Sequence, residues 1–277
     1  MRRLLRADFW KGANGVVATV AAIVGLGVTF GIVKPIGGGT ENALASAAGA
    51  TVDAGSSRVI LDMSVDAGDQ GKLAFSGDGA FDYRTNKGTF TYDYSATPGA
   101  EALSSVPAII HPSTLYYNFS SVAPGLTKPW VRMTPAELAK SLGTSEKDVT
   151  EALSASGDPS QVLDLVKEAG DVEEVGEEQL FGVTTKHYKG ELDPKKLDLP
   201  EGSTEGPIRV EVWVDESGVV RRTELAGRFK EGGTTAALKI KQDLSDFGTK
   251  VDAEAPPADQ VATLEEFQQE AQGLAAP

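Results

Sequence analysis

The sequence predicts an α+β fold built on a single antiparallel sheet, with helices laid against it. Three observations carry this. Apolar residues recur with a period of two in run after run, as strands of a half-buried sheet require. Turn residues separate the runs. Helical patterns are gathered mainly into one central block instead of alternating with the strands, which argues against repeated βαβ units. The stretch VEVWVDESGVVRRTEL at 210–225 shows the strand pattern: Val210, Val212 and Val214 fall on one side, Glu211 and Trp213 on the other, and DESG makes the turn.

The chain opens with Arg2, Arg3, Arg6 and Lys11, with Asp8 the one acid among them, and continues into VVATVAAIVGLGVTFGIV, an apolar run of 18 residues from Val16 to Val33. At about 1.5 Å per residue the run spans ~27 Å, close to the hydrocarbon thickness of a bilayer. The basic flank keeps residues 1–15 cytoplasmic and sends the remainder outside. A cleaved signal peptide is the competing reading. Its best small-residue site, Ala43-Leu44-Ala45, lies ten residues beyond Val33, so an uncleaved anchor over 16–33 is favoured. Residues 34–42, with Gly37 to Gly39, read as a flexible linker.

Past the linker, ALASAAGATVDAGSSRV is alanine-rich and fits a helix. VILDMSV, KLAFSGDGAFDYR and GTFTYDYS follow as strands; Phe81 and Tyr83 share a face, as do Phe90, Tyr92 and Tyr94. TLYYNFS is another strand, with Leu115, Tyr117 and Phe119 on one side. The middle is helical. MTPAELAKSLG begins with Thr134, Pro135 and Glu137 in a capping-box arrangement. TSEKDVTEAL and DPSQVLDLVKEAG continue the block, each with one apolar stripe, so that it can lie on the sheet as a lid. Strands resume in DVEEVGEEQLFGVTTKHYKGEL, then the hairpin at 210–225, then TTAALKIKQDLSDFG. ATLEEFQQEAQG forms a last short helix or tail over 262–277, capped by Thr263 with Glu266 three residues on.

Composition excludes several functions. There is no cysteine, which removes disulfides, thiolate metal sites and thiol nucleophiles, and only two histidines occur, His111 and His187. Residues 1–34 hold five of the 26 basic residues and one of the 40 acids, which leaves residues 35–277 with a net charge of −18. A phosphate backbone is repelled by such a surface, so no nucleic-acid partner is expected. No nucleophile elbow, phosphate loop or H-E-x-x-H helix is present. The five carboxylates of DVEEVGEE have no glycine-centred calcium loop. His187 has no nucleophile at a recognisable spacing and reads as structural. The sequence therefore calls for no catalytic residue, metal or cofactor.

KPWVRM at 128–133, GDVEEVGEEQLFGVTTKHYKGELD at 170–193, the 210–225 hairpin and LSDFGTKVDAEAPPADQV at 244–261 resemble actinobacterial proteins of the LolA-like fold, the LppX/LprG-type lipoproteins. The resemblance covers residues 43–261. It implies a strongly curved half-barrel with helices packed on the concave side, and a non-enzymatic protein that holds acyl chains or handles lipids and lipoproteins in an apolar cavity. On that reading Phe90, Tyr92, Tyr117, Phe119, Trp130, Val212 and Val214 are the candidate lining residues. One departure stands out: lipoproteins of this type carry a lipid-modified cysteine, and this chain has none. The N-terminal helix takes over as the membrane attachment, giving a single-pass cell-membrane protein with an extracytoplasmic domain. The alternative is an interaction or envelope-stress regulatory module with a filled core and a protein partner.

Overall fold

The computed structural model describes residues 39–275, apart from 99, 101–103, 112–113, 122, 143–144, 148–171, 193–201 and 232. The apolar run 16–33 and the helical patterns of 148–170 lie outside the described residues.

Twelve strands form one sheet: β1 (Ser56–Asp66), β2 (Lys72–Asp82), β3 (Lys87–Asp93), β4 (Val106–His111), β5 (Thr114–Asn118), β6 (Trp130–Met133), β7 (Val172–Leu180), β8 (Val183–Leu192), β9 (Ile208–Asp215), β10 (Val220–Glu231), β11 (Thr234–Ser245) and β12 (Val261–Thr263). Their order is β12-β6-β5-β4-β3-β2-β1-β11-β10-β9-β8-β7. The first and last do not pair, so the curved sheet is open. Every neighbouring pair is antiparallel except β6 and β12, which run parallel. That pair corrects the expectation of a wholly antiparallel sheet. Its cause is the return of the chain after β11, which brings the three-residue β12 to the far edge in the same direction as β6.

Three helices are described: α1 (Gly39–Asp53), α2 (Pro135–Leu142) and α3 (Leu264–Ala275). α1 takes in the last four residues expected to be linker. Both capping boxes form. Glu137 N–H donates to Thr134 Oγ1 at 3.3 Å while Thr134 N–H donates to Glu137 Oε2 at 2.8 Å. Thr263 and Glu266 repeat the exchange at 2.9 and 3.1 Å. α3 is not a loose tail: Glu270 accepts from Thr127 N–H at 2.6 Å, and Phe267 stacks on Phe119 with centroids 5.0 Å apart.

One face of the sheet, here the inner face, is dry. α1 lies on it, and Leu44, Ala47 and Ala48 share one buried cluster with Val59, Val210, Val212, Val214, Val220 and Leu244. The Thr51 hydroxyl ties the helix down: it donates to Ala47 O at 2.7 Å and accepts from Val220 N–H at 3.0 Å, at the irregularity between Val220 and Arg222. The register carries inner-face rows across the sheet. One runs Val212–Thr223–Gln242–Leu61–Gly77–Tyr92, and a second runs Val59–Gly79–Phe90–Ala108–Tyr117–Val131. The outer face is laced with ion pairs, among them Arg222–Asp243 and Lys241–Asp62 at 3.0 Å.

The hairpin between β9 and β10 closes through Asp215. Its Oδ1 accepts from Ser217 N–H at 2.9 Å and Val219 N–H at 3.1 Å, and Oδ2 accepts from Arg221 Nε at 2.6 Å. Burial alone raises this carboxyl, but the donors of Ser217, Arg221 and Val219 outweigh it and hold it below its ordinary value.

Leu44 is fully enclosed whereas Val175 on the edge strand β7 is 44% exposed. Leu44→Ala therefore lowers the unfolding free energy by about 3 kcal/mol, and Val175→Ser changes it by less than ~0.5 kcal/mol. Urea denaturation checks both; equal effects would contradict the packing of α1.

Candidate functional site

The half of the inner face formed by β2 to β6 differs from the half beneath α1. Here aromatic side chains join the aliphatic ones: Phe81 and Phe90 are buried, and Phe75, Tyr92, Tyr94, Tyr117 and Phe119 are half-buried. Phe90 and Tyr92 of β3 stack with centroids 5.6 Å apart and planes inclined by 11°. Tyr92 meets Tyr117 of β5 at 6.0 Å, Tyr117 meets Phe119 at 6.2 Å, and Phe119 stacks on Phe267 of α3. Phe75 of β2 lies against Tyr92 and Tyr94 at 5.9 and 5.1 Å. Offset and edge contacts at these separations are favourable for aromatic pairs. The result is a continuous aromatic path from the middle of the sheet to α3.

Two glycines hold the path low. A methyl carbon added at Gly77 would lie 2.7 Å from the Tyr92 ring; one at Gly79 would lie 2.6 Å from the Phe90 ring and 2.1 Å from the Thr89 carbonyl oxygen. The two rings therefore rest on bare backbone of β2, and the sequence GDG at 77–79 is the local device that permits it.

Of the residues named from the sequence, Phe90, Tyr92, Tyr117 and Phe119 come together in this path. Val212 and Val214 are on the same face, but Val212 lies five strands from Tyr92, ~24 Å at the spacing of neighbouring strands. Both valines are buried in the cluster with α1. Trp130 is on the other face. It pairs in register with Asn118, one residue out of step with Tyr117, which pairs with Val131. It borders an outer groove of about 520 Å³ with Arg58, Asp78, Pro107 and Ile109. A second groove of about 670 Å³ has Asp62, Glu211, Glu224, Lys239 and Lys241 of the outer face in its lining.

His187 occupies a setting the sequence did not disclose. Its Nδ1 meets Glu178 Oε1 at 2.9 Å, its Nε2 meets Glu211 Oε2 at 2.8 Å, and its ring stacks on Trp213 at 4.1 Å. Trp213 Nε1 donates to Glu178 Oε2 at 3.1 Å. The cluster straps the edge strand β7 to β8 and β9. Both ring nitrogens are engaged by carboxylates. Among the described residues no group of three or more acidic or imidazole side chains forms a metal site, and no described helix is long and apolar enough to cross a membrane.

No family model matches the chain. An uncharacterized 31.2 kDa protein of Streptomyces griseus is 25% identical over an alignment 204 residues long that covers 65% of each chain. A candidate lipoprotein of Streptomyces coelicolor is 32% identical over 109 residues, 39% of this chain and 33% of that one. The matches thus span less than two thirds of these relatives' lengths. Among solved structures, the chain is similar to LprF of Mycobacterium bovis, with a TM-score of 0.49 and 15% identity over 79% of this chain and 97% of that one. It is also similar to the lipoprotein LppX of Mycobacterium tuberculosis, with a TM-score of 0.44 and 17% identity over 77% and 99%.

Burial pushes the phenols of Tyr92, Tyr94 and Tyr117 above the ordinary tyrosine value. Their raised folded values contribute stability that is fully present below about pH 10 and is lost as pH rises further. Urea midpoints measured from pH 9 to 11.5 should fall above pH 10, and less steeply in Tyr92→Phe. Identical profiles for the two proteins would show that Tyr92 is not the buried phenol described here.

Proposed function

We propose that this protein is a membrane-tethered, extracytoplasmic binder of acyl chains, and that the aromatic half of its inner face takes the chain. The carrying observation is the aromatic path Phe90–Tyr92–Tyr117–Phe119–Phe267, half-buried from Tyr92 onward, with the Phe90 and Tyr92 rings lying on the backbone of β2. Aromatic rings in a single layer offer apolar contact without a charged partner, as a methylene chain requires. Burying a chain contributes about 0.8 kcal/mol per methylene, so ten methylenes give ~8 kcal/mol before ordering costs. The net negative surface disfavours tight capture of anionic headgroups, so selectivity falls to tail length and shape.

The location rests on Val16–Val33 as an uncleaved anchor. Cleavage after Ala45 would cut through α1 and remove Leu44, which is fully enclosed in the core. The Streptomyces coelicolor relative, named as a lipoprotein, fits the same envelope setting. The filled half of the sheet beneath α1 favours a second reading, in which the domain binds a protein partner and no lipid. An enzymatic role has no support in the occupied ring of His187.

Native mass spectrometry of the full chain, extracted in mild detergent, tests the leading reading. It should show one or more co-purified acyl lipids on a chain whose mass still includes residues 1–33. Phe119→Asp should lower lipid occupancy at least tenfold, whereas Trp130→Ala, on the outer face, should leave it unchanged. A chain beginning near Ser46 would rule out the anchor. A protein that carries no lipid and takes none from vesicles would leave the partner-binding reading in its place.

A further inference from the structure

Inner-face positions of β11 read Ala236, Leu238, Ile240, Gln242, Leu244, and one of these five is an amide. Gln242 is only 8% exposed and Thr223, its register partner on β10, only 3%. Neither side chain makes a hydrogen bond to any described residue. Their polar atoms are not sealed in either: the fully enclosed unpaired side-chain atoms among the described residues are Arg132 Nε and Ser203 Oγ. The amide and the hydroxyl thus keep a trace of solvent contact and have no hydrogen-bond partner among the described residues. An unpaired amide at such a depth is unfavourable in the free protein, and a hydrophobic side chain of similar volume would pack there without loss.

The surroundings define what would pair with them. Leu61 flanks Gln242 on β1, Val212 flanks Thr223 on β9, and Ile240 and Leu244 lie on either side along β11. From Gln242 the same row continues over Leu61 and Gly77, which the Tyr92 ring covers, to Tyr92, three strands and ~14 Å away. No ionised side chain belongs to this stretch of the row. A primary amide offers two N–H donors and one acceptor, and a threonine hydroxyl offers one of each. Uncharged donors ringed by apolar side chains suit a carbonyl oxygen embedded in an apolar molecule; they suit neither a free carboxylate nor a bare hydrocarbon.

We propose that Thr223 and Gln242 form a polar step that hydrogen-bonds the ester carbonyl of an acyl lipid, with the acyl chain running from there over Leu61 to the aromatic path. This rests on the acyl-binding reading above and names the linkage that the guest must carry.

The test compares a diacylglycerol with its dialkyl ether counterpart of equal chain length, which lacks the carbonyls, by native mass spectrometry of the detergent-solubilised full chain. The native protein should prefer the diester about tenfold. Gln242→Leu should bring the two lipids within twofold of each other by weakening the diester alone, and should raise the urea midpoint of the lipid-free protein. Gln242→Met serves as a second apolar variant in case the branched side chain disturbs the strand, and Thr223→Val should lower the preference in part. If the native protein binds both lipids equally, or if the variants keep the native preference, the polar step is wrong while acyl binding stands. If the native protein binds neither lipid, acyl binding itself fails and the step with it.

Discussion

Twelve strands at about 4.8 Å spacing give an inner face ~53 Å across, and the fifteen-residue α1 is only ~22 Å long. An α-helix is also only about 10 Å wide, so α1 can dry one part of the face and no more. Most of what distinguishes the two halves of the molecule follows from that shortfall. Under α1 the side chains are aliphatic and closely packed, and the Thr51 hydroxyl spends its hydrogen bonds on the helix and on Val220. Beyond the reach of α1 aromatic side chains join the sheet's inner face, and they stack on one another sideways. The glycines of β2 are part of the same solution: a ring laid on backbone shields both the ring's lower face and the peptide groups beneath it.

The outer face answers a different demand. Its strands are wetted, and they alternate apolar inner residues with charges that pair across the ladder. Arg222 with Asp243 and Lys241 with Asp62 join β10, β11 and β1, and the His187–Trp213–Glu178–Glu211 cluster joins the last three strands. The exposed Lys241–Asp62 pair contributes little by itself, whereas Asp243 and His187 of the other contacts are buried. The value of these contacts lies in register, because a slip by one residue would carry every charge to the dry side. The edge strand β7 carries Glu173, Glu174, Glu177 and Glu178, and charge on an unpaired edge discourages pairing with another copy.

Period-two alternation made β1, β2, β3, β5 and the run from β7 to β11 legible in the sequence, and the capping residues at Thr134 and Thr263 marked α2 and α3. What escaped detection had no local signal. β12 is three residues long and gains its place from parallel pairing with β6. Pro107 interrupts the reading of β4, although it sits on the outer side and faces Thr91 in register. Face assignment worked where the chain stays in step, as for Phe90, Tyr92, Tyr117 and Phe119. It could not place Trp130, whose side depends on pairing with β5. Nor could alternation show that Val212 and Val214 lie beneath α1, since an inner position does not reveal its cover. Gln242 did have a signal, a single amide in an otherwise apolar inner register, but only the pairing of β10 with β11 places Thr223 beside it.

The start of α1 at Gly39 sets a length scale for the tether. Five residues, 34 to 38, separate Val33 from the helix, and a fully extended chain covers no more than ~3.6 Å per residue. Under the anchor proposed for Val16–Val33, the start of α1 would stay within ~18 Å of the membrane surface. Because Leu44 locks that helix into the core, such a leash would be fastened to the folded body itself and not to a loose arm. A domain so held would sample its own leaflet at an effective concentration fixed by geometry instead of by expression level, and would surrender the reach needed to ferry a cargo to another membrane.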